Sequence, residues 1–138
     1  MSYMITEVEA YRGTDDLACH ASKGRTSRTE VMYRKGGCLY VFLIYGMYWM
    51  LNIVTAETGN PQAVLIRGIE GYNGPGRLSR GIGIDRSFNG LDITTSERLL
   101  ICDFSARVDI KSSPRIGIDY AGEPWVSKPW RYYIVQSS

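Results

Sequence analysis

Histidine and cysteine are scarce in this sequence, which holds a single histidine, His20, and three cysteines. The chain contains no Cys-x-x-Cys pair and no second histidine, so it lacks the ligand spacing of a structural zinc site. We therefore expect neither a metal nor a cofactor. Cys19, Cys38 and Cys102 are odd in number and far apart, which is typical of free thiols in a reducing compartment.

Long apolar runs, targeting signals and an excess of one charge are also missing. The longest apolar run, residues 38–54, is shorter than a membrane span, is divided by Gly46 and carries Asn52, so we expect no transmembrane helix. No signal peptide is apparent, because a strand pattern begins almost at once. The net charge is only +2. No P-loop, Rossmann fingerprint or Ser/His/Asp triad is visible.

The chain has the length and composition of one folded domain. It holds 138 residues, of which 44% are hydrophobic and 22% are charged, and it shows no repeat or linker. We predict a single α+β domain over residues 1–138, mainly a curved antiparallel β-sheet with a protruding β-hairpin and few short helices. We predict strands at 3–11, 63–67, 115–119 and 130–135, and a hairpin of two strands at 38–54. Short helices are predicted near 14–21 and over 77–84, and residues 96–102 are predicted as a strand or a short helix.

The most distinctive segment is the hairpin around Gly46, because its tip is aromatic instead of polar. Tyr45 and Met47 lie at the turn, with Tyr48 and Trp49 beside it. Large apolar side chains at a hairpin tip reduce solubility unless they enter something. A stack of nucleic-acid bases is one natural target for such a wedge.

The first predicted strand carries a candidate catalytic pair. Glu9 and Tyr11 are two residues apart, so both point to one face, which Glu7 shares. A carboxylate beside an aromatic ring suits a site that holds a flat ring and activates water. A plain polar outer face is the alternative.

Three further polar residues each allow two interpretations. His20 is either a structural histidine or a site residue. Asn52, inside an apolar strand, is either a satisfied core amide or a reader of a ligand. Arg67 ends an apolar strand and either extends into solvent or binds phosphate.

Several motifs resemble, in one order and at compatible spacings, the alkyladenine (3-methyladenine) DNA glycosylases of the monofunctional vertebrate and bacterial type. The motifs are Glu7-Val-Glu-Ala-Tyr11, His20, Gly24-Arg25-Thr26, Leu39-Tyr-Val41, Leu43-Ile-Tyr-Gly-Met47, Leu51-Asn-Ile53, Ala63-Val-Leu-Ile-Arg67, Gly74-Pro-Gly-Arg-Leu78, Arg115-Ile-Gly-Ile, Tyr120-Ala-Gly-Glu123 and Lys128-Pro-Trp-Arg-Tyr-Tyr133. The resemblance covers nearly the whole chain. The chain differs from the family pattern because it is shorter at the N-terminus and between residues 70 and 74.

The resemblance implies a role for each matching residue. Glu9 resembles the general base that deprotonates the attacking water, and Tyr45, helped by Met47, resembles the residue that fills the gap left by a flipped nucleotide. The base pocket would be formed by Tyr11, His20, Phe42 (in the place of a frequent Tyr) and Asn52, which would disfavour guanine. Arg67, Arg25 and Tyr40 would supply polar support or contacts to DNA.

The implied activity is hydrolytic removal of alkylated or deaminated purines from double-stranded DNA, leaving an abasic site. The named lesions are 3-methyladenine, 7-methylguanine, hypoxanthine and ethenoadenine. A monomer is expected, located in the cytoplasm or nucleoid of a bacterium or the nucleus of a eukaryote. A DNA-binding module without catalysis and an inactive remnant of the family are the alternatives.

Overall fold

An antiparallel sheet of seven strands forms the centre of the molecule. The structure is a computed structural model that describes residues 1–103 and 107–135. The strands are β1 (Ile5–Tyr11), β2 (Leu39–Ile44), β3 (Tyr48–Val54), β4 (Ala63–Ile69), β5 (Tyr72–Asn73), β6 (Asp109–Ser113) and β7 (Arg131–Val135). Their order across the sheet is β2-β3-β4-β1-β7-β6, and β5 pairs with β4. The predicted α+β class, dominated by antiparallel strands, is confirmed.

The hairpin β2–β3 has the predicted position and a regular register. Leu39 pairs with Ile53 at its base and Ile44 with Tyr48 at its tip, so the turn consists of three residues, 45–47. β3 continues the sheet by pairing with β4. The hairpin is therefore anchored at its base in the sheet that also carries β1.

One α-helix and four short 3-10 helices complete the described secondary structure. The helix, α1, spans Pro75–Ile82, and the 3-10 helices span His20–Lys23, Glu30–Tyr33, Arg86–Phe88 and Asp119–Ala121. α1 begins with proline in its first turn and ends at Gly83, which adopts the left-handed conformation that favours glycine. No helix within residues 1–103 and 107–135 combines the length and the apolar character needed to cross a bilayer.

The two faces of the sheet bury different kinds of residues. One face packs against α1 and the segment after it, around Leu39, Leu51, Ile66 and Leu78. On the opposite face, a smaller and more aromatic cluster contains Met32, Tyr33 and Tyr40 and borders Tyr11 and Phe42; its buried side chains are Cys19, Ala21, Val31, Met32, Tyr33, Tyr40, Val54 and Ala63.

Three predicted elements are wrong. Residues 115–119 form a bend leading into a 3-10 helix, residues 96–102 form no helix or strand, and the helix near 14–21 is replaced by turns and the 3-10 helix at His20–Lys23. The first strand also loses its simple alternation, because its register with β4 shifts between Ile5 and Val8. Ile5 consequently packs on the same apolar cluster as Val8, while Glu7 stays on the other face with its ion-pair partners.

Candidate active site

A pocket of about 640 Å³ opens between the hairpin, β1 and the 116–120 segment. Its volume falls in the range of small-molecule sites, and aromatic and aliphatic side chains dominate its walls. The lining residues discussed below are Tyr11, His20, Arg28, Tyr40, Phe42, Tyr45, Asn52, Arg67, Ile116 and Tyr120. A larger cavity of about 1120 Å³ lies against the opposite face of the sheet and is lined mainly by aliphatic side chains.

Glu9 lies directly behind the wall of the smaller pocket. Its side chain has no solvent-exposed surface. The Tyr11 hydroxyl donates a hydrogen bond to Glu9 Oε1 at 2.8 Å, and the Ile116 backbone N–H donates to Oε2 at 2.7 Å. Arg67 Nε lies 3.7 Å from Oε2. The buried carboxylate is thus held by two donors and a nearby cation, all from residues that line the pocket.

Burial and the neighbouring carboxylate also affect Tyr11. Desolvation raises the pKa of the Tyr11 hydroxyl, and the negative charge of Glu9 raises it further. The phenol therefore remains protonated at neutral pH and keeps donating to Glu9. This fixed donor leaves the remaining lone pairs of the carboxylate to accept other protons.

Glu7, on the same strand as Glu9, connects β1 to two arginines. Glu7 Oε2 accepts hydrogen bonds from Arg67 Nε at 3.1 Å and from Arg131 Nε at 2.6 Å. Partial burial tends to raise the pKa of Glu7, but the hydrogen bonds and charges of Arg131 and Arg67 outweigh it and hold that pKa below its ordinary value. Arg67 is consequently fixed between two carboxylates, Glu7 and Glu9.

Three rings form an aromatic corner of the pocket. The His20 ring centre lies 4.4 Å from that of Phe42, and the Tyr40 ring centre lies 5.2 Å from that of Phe42. His20 Nδ1 is 3.0 Å from the Tyr40 hydroxyl. Burial lowers the pKa of His20, and the positive charges of Arg28 and Lys23 lower it further, so the imidazole is neutral at pH 7.

Asn52 is a buried amide on the pocket side of β3. It is 4% exposed, and its Nδ2 donates to the carbonyl oxygens of Tyr40 at 3.2 Å and Met50 at 3.4 Å. These bonds fix the orientation of the amide group. The amide is therefore satisfied by backbone carbonyls and also lines the pocket, while its role as a reader of a ligand stays a prediction.

The hairpin tip projects large side chains into solvent at the rim of the pocket. Tyr45 is 86% exposed and Met47 is 55% exposed. Tyr45 has φ +53°, the only positive φ of a non-glycine residue in the described part of the chain, and Gly46 has φ +66°. A tyrosine held in the left-handed region with its ring in solvent gains no packing in return, which is typical of a functional position.

The structure does not bring every predicted residue into the pocket. Arg25 lies outside its lining, 3.6 Å from Glu30 and with its guanidinium over the Tyr33 ring. Tyr40 is only 2% exposed. Tyr40 nevertheless lines the pocket, where its hydroxyl lies 3.0 Å from His20 Nδ1 and supports that ring from the interior.

Tyr48 and Trp49, which lie beside the turn, pack against neighbouring elements. A Cβ placed on Gly76 of α1 would lie 2.5 Å from the Tyr48 ring. Trp49 packs on the larger apolar cluster, with the Arg86 guanidinium over its ring.

Several pocket residues escaped the sequence analysis. Arg28 lines the pocket with its guanidinium 5.7 Å from the Phe42 ring centre, and Ile116 supplies the amide bound to Glu9. Tyr120 lines the pocket opening and donates a hydrogen bond to the Ala18 carbonyl. Ile116 and Tyr120 stand in two of the matching motifs, but the resemblance assigns no role to them. A further signal is Gly117, whose position between two isoleucines allows a turn within an apparent strand; its φ is +74°.

The arrangement combines a shielded base with a pocket for a flat ring. A carboxylate that keeps free lone pairs can take a proton from water, while the aromatic walls can stack on both an uncharged and a cationic heterocycle. Within the described residues, no cluster of three His, Cys, Asp or Glu side chains is placed to hold a metal ion. The Glu9 carboxylate, directly behind the pocket wall, is the group at this site that is best suited to general-base chemistry.

Comparisons with known proteins give a consistent result. The sequence matches the family model described as methylpurine-DNA glycosylase over residues 1–73 and 70–138. Three relatives carry the name "Putative 3-methyladenine DNA glycosylase". The relative from Borrelia garinii subsp. bavariensis is 47% identical, with 94% of this chain and 77% of the relative aligned. That from Methanocella arvoryzae is 46% identical, with 94% and 74% aligned, and that from Desulfitobacterium hafniense is 41% identical, with 99% and 81% aligned.

Proposed function

The chain belongs to the methylpurine-DNA glycosylase family, and from its pocket geometry we propose that it hydrolytically removes alkylated or deaminated purines from duplex DNA. The observation that carries this proposal is the buried Glu9 carboxylate directly behind a pocket of about 640 Å³ with an exposed aromatic wedge at its rim. The proposed lesions are 3-methyladenine, 7-methylguanine, hypoxanthine and ethenoadenine. One chain encloses the pocket, which supports action as a monomer.

Base flipping is the first step of the proposed mechanism. A purine inside a duplex must leave the stack to reach the pocket, at a cost of a few kcal/mol that is smallest for weakly paired, damaged bases. Tyr45 enters the vacated space from the hairpin tip, where Met47 adds an apolar surface. Stacking of one aromatic ring on a base contributes about 1–3 kcal/mol, which offsets much of the cost.

The extruded base then enters the pocket between Tyr11 and the aromatic corner of His20 and Phe42. A positively charged alkylated purine gains further stabilisation from aromatic faces. Phe42 stacks without adding a hydroxyl group. Asn52, whose amide is fixed by two backbone carbonyls, disfavours normal guanine by crowding its exocyclic amine.

Hydrolysis follows with Glu9 as general base. The oxygen of a water molecule attacks C1′ of the deoxyribose, the glycosidic bond breaks, and the base leaves with the bonding electrons. The proton of the water passes to Glu9, whose negative charge also stabilises the oxocarbenium character of the sugar. Because Glu9 has no exposed surface in the free protein, nucleotide entry must shift the wall at Tyr11 or Ile116 enough to admit one water.

Release of the base should not cleave the strand. A nucleophilic lysine would be needed to form a covalent sugar intermediate. The described residues that line the pocket include arginines but no lysine. The expected product is therefore an intact strand with an abasic site.

A lesion panel tests the proposal directly. Purified protein is incubated with duplex oligonucleotides that carry hypoxanthine, ethenoadenine, 7-methylguanine or 3-methyladenine, and abasic sites are detected by alkaline cleavage. Glu9→Gln should lower the single-turnover rate by at least about 10²–10⁴-fold, the usual contribution of a general base, while binding to the duplex persists. Glu57→Gln, on an exposed loop, is the matched control and should keep the rate of the unaltered protein.

The outcomes separate the alternatives. Intact substrate of every kind after prolonged incubation with folded protein would refute the enzyme assignment. Salt-dependent duplex binding without any release would instead favour a non-catalytic DNA-binding module. Absence of a cooperative thermal transition would favour an inactive remnant.

A further inference from the structure

A buried ion pair joins two segments that are 99 residues apart. Arg115 Nη1 donates to Asp16 Oδ2 at 2.6 Å, and Nη2 donates to Oδ1 at 2.9 Å, a bidentate pair with both side chains fully buried. Asp16 also accepts the backbone N–H groups of Arg12 and Ala18. The aspartate is therefore a fixed anchor that holds Arg115 in one orientation.

Arg115 in turn lies against the residues that surround Glu9. Its Nη1 donates at 3.0 Å to the carbonyl of Ala10, the residue between Glu9 and Tyr11. Its guanidinium carbon lies 5.0 Å from the ring centre of Tyr11 and 4.9 Å from that of Trp130. One side chain thus contacts both the backbone beside the catalytic carboxylate and the ring that donates to it.

The next residue in the chain completes the connection. Ile116 donates its backbone N–H to Glu9 Oε2 at 2.7 Å, although its own side chain is exposed. The segment at 115–118 is a bend outside the sheet, so no strand pairing fixes the position of this amide. Because Ile116 directly follows the anchored Arg115, the ion pair lies one residue from the amide that bonds Glu9.

Stability alone is a weak reason for this arrangement. Burying two charges carries a desolvation penalty that their attraction only partly returns, and an apolar pair of similar volume often serves a fold equally well. Arg115 Nε is also buried without a hydrogen-bond partner within residues 1–103 and 107–135. A pair retained at such a cost is best explained by the geometry that it imposes.

We propose that Arg115, anchored by Asp16, is a positioning residue that sets the orientation of the Glu9 carboxylate through the Ile116 amide and the Tyr11 ring. This inference rests on the proposed function, because it concerns the same carboxylate. Arg115 is placed on the side of Tyr11 and Glu9 that is remote from the pocket, since it is absent from the pocket lining. We therefore expect its main effect on the rate of hydrolysis and only a small effect on lesion binding, since Arg115 itself does not contact the base.

Arg115→Lys is the informative variant, because lysine keeps the charge but loses the planar fork that bonds Asp16 at two points. We expect the single-turnover rate of base release to fall by about 10–100-fold, the scale of a small misplacement of a catalytic group. The dissociation constant for lesion duplex should change by less than about twofold. Arg34→Lys, which alters an exposed ion pair with Glu30, is the matched control and should keep the original rate.

Amide hydrogen exchange supplies a readout that does not depend on activity. In the Arg115→Lys variant, the Ile116 amide should exchange at least about tenfold faster, while amides in the central strands β3 and β4 keep their protection. If Arg115→Lys fails to fold, the double variant Asp16→Asn/Arg115→Gln removes both buried charges and takes its place. It is measured in the same two assays, with the same expectations.

Equal rates and equal Ile116 protection in the variant and the unaltered protein would overturn the positioning role. A parallel loss of protection in every strand would also overturn it, because it would show a general structural role. If the unaltered protein releases no base from any lesion, the proposed function fails, and the exchange measurement still decides whether Arg115 orders the Ile116 amide.

Discussion

Replacing Tyr45 by asparagine should make the protein more stable and a poorer repair enzyme. Tyr45 and Gly46 have φ values of +53° and +66°, and the Met47 N–H donates to the Ile44 carbonyl at 3.1 Å. Residues 44–47 thus form a β-turn with positive φ at both central positions, the conformation for which Asn-Gly is the preferred pair. The left-handed conformation costs an ordinary L-residue about 1–2 kcal/mol, and asparagine less, because its side chain hydrogen-bonds locally.

The size of the expected gain follows from the exposure of the ring. Because Tyr45 is 86% exposed, its removal sacrifices almost no buried area. We expect Tyr45→Asn to raise the free energy of unfolding by up to about 1 kcal/mol. The lost stacking in DNA, about 1–3 kcal/mol, should weaken binding to lesion duplex by about 5- to 140-fold.

Two assays and one control test this reasoning. Urea denaturation gives the change in stability, and titration of a lesion duplex at fixed salt gives the change in affinity. Tyr45→Phe keeps the ring and the strained turn, so it should resemble the unaltered protein in both assays. A drop in stability of more than about 1 kcal/mol, or unchanged affinity in Tyr45→Asn, would refute the assignment of this residue as a strained wedge.

Two further predictions concern the pocket and the contact between α1 and the hairpin. NMR titration of His20, the single histidine, should give a pKa below its ordinary 6.5. The unfolded chain then binds more protons than the folded one, so stability should fall as the pH drops through 6.5 toward the folded pKa. Arg28→Gln should raise the pKa of His20, whereas Arg25→Gln should not. Gly76→Ala should destabilise the protein by about 1–3 kcal/mol, because its Cβ would lie 2.5 Å from the Tyr48 ring. In thermal melting, the double variant Gly76→Ala/Tyr48→Ala should recover stability relative to Tyr48→Ala alone. A Gly76→Ala variant of unchanged or higher stability would contradict this prediction.

The parts of the fold that the sequence predicts are those with strong local signals. The hairpin β2–β3 has two apolar runs around Gly46, and α1 is bounded by Pro75 and Gly83, whose backbone preferences fit a helix start and end. β6 has no such signal. Its five residues are mostly polar and exposed, and they form a strand only because β7 offers an edge to pair with.

The residues of the candidate site also separate into those with a local sequence signal and those without one. Glu9 and Tyr11 share a face because side chains alternate along a strand, which the sequence alone predicts. The Asp16–Arg115 pair has no local signal, since it depends on a contact between distant segments. The alternating pattern at 115–119 even predicts a strand, and it is wrong because Arg115 turns inward to Asp16 and Gly117 bends the chain.

Three features of the pocket region oppose the stability of the free protein. Tyr45 is strained and exposed, Glu9 is a buried carboxylate, and Arg115 is a buried cation whose Nε has no hydrogen-bond partner in the described part of the chain. Domains of this size are stable by only about 5–15 kcal/mol in total, so costs of this kind consume a sizeable share of what holds the fold together. A chain that needed only to fold, or only to bind DNA through its wedge, would need neither the buried Glu9 carboxylate nor the Asp16–Arg115 pair, which an apolar pair often replaces without loss of stability. Their convergence on one pocket therefore favours a catalytic protein over a passive DNA-binding module.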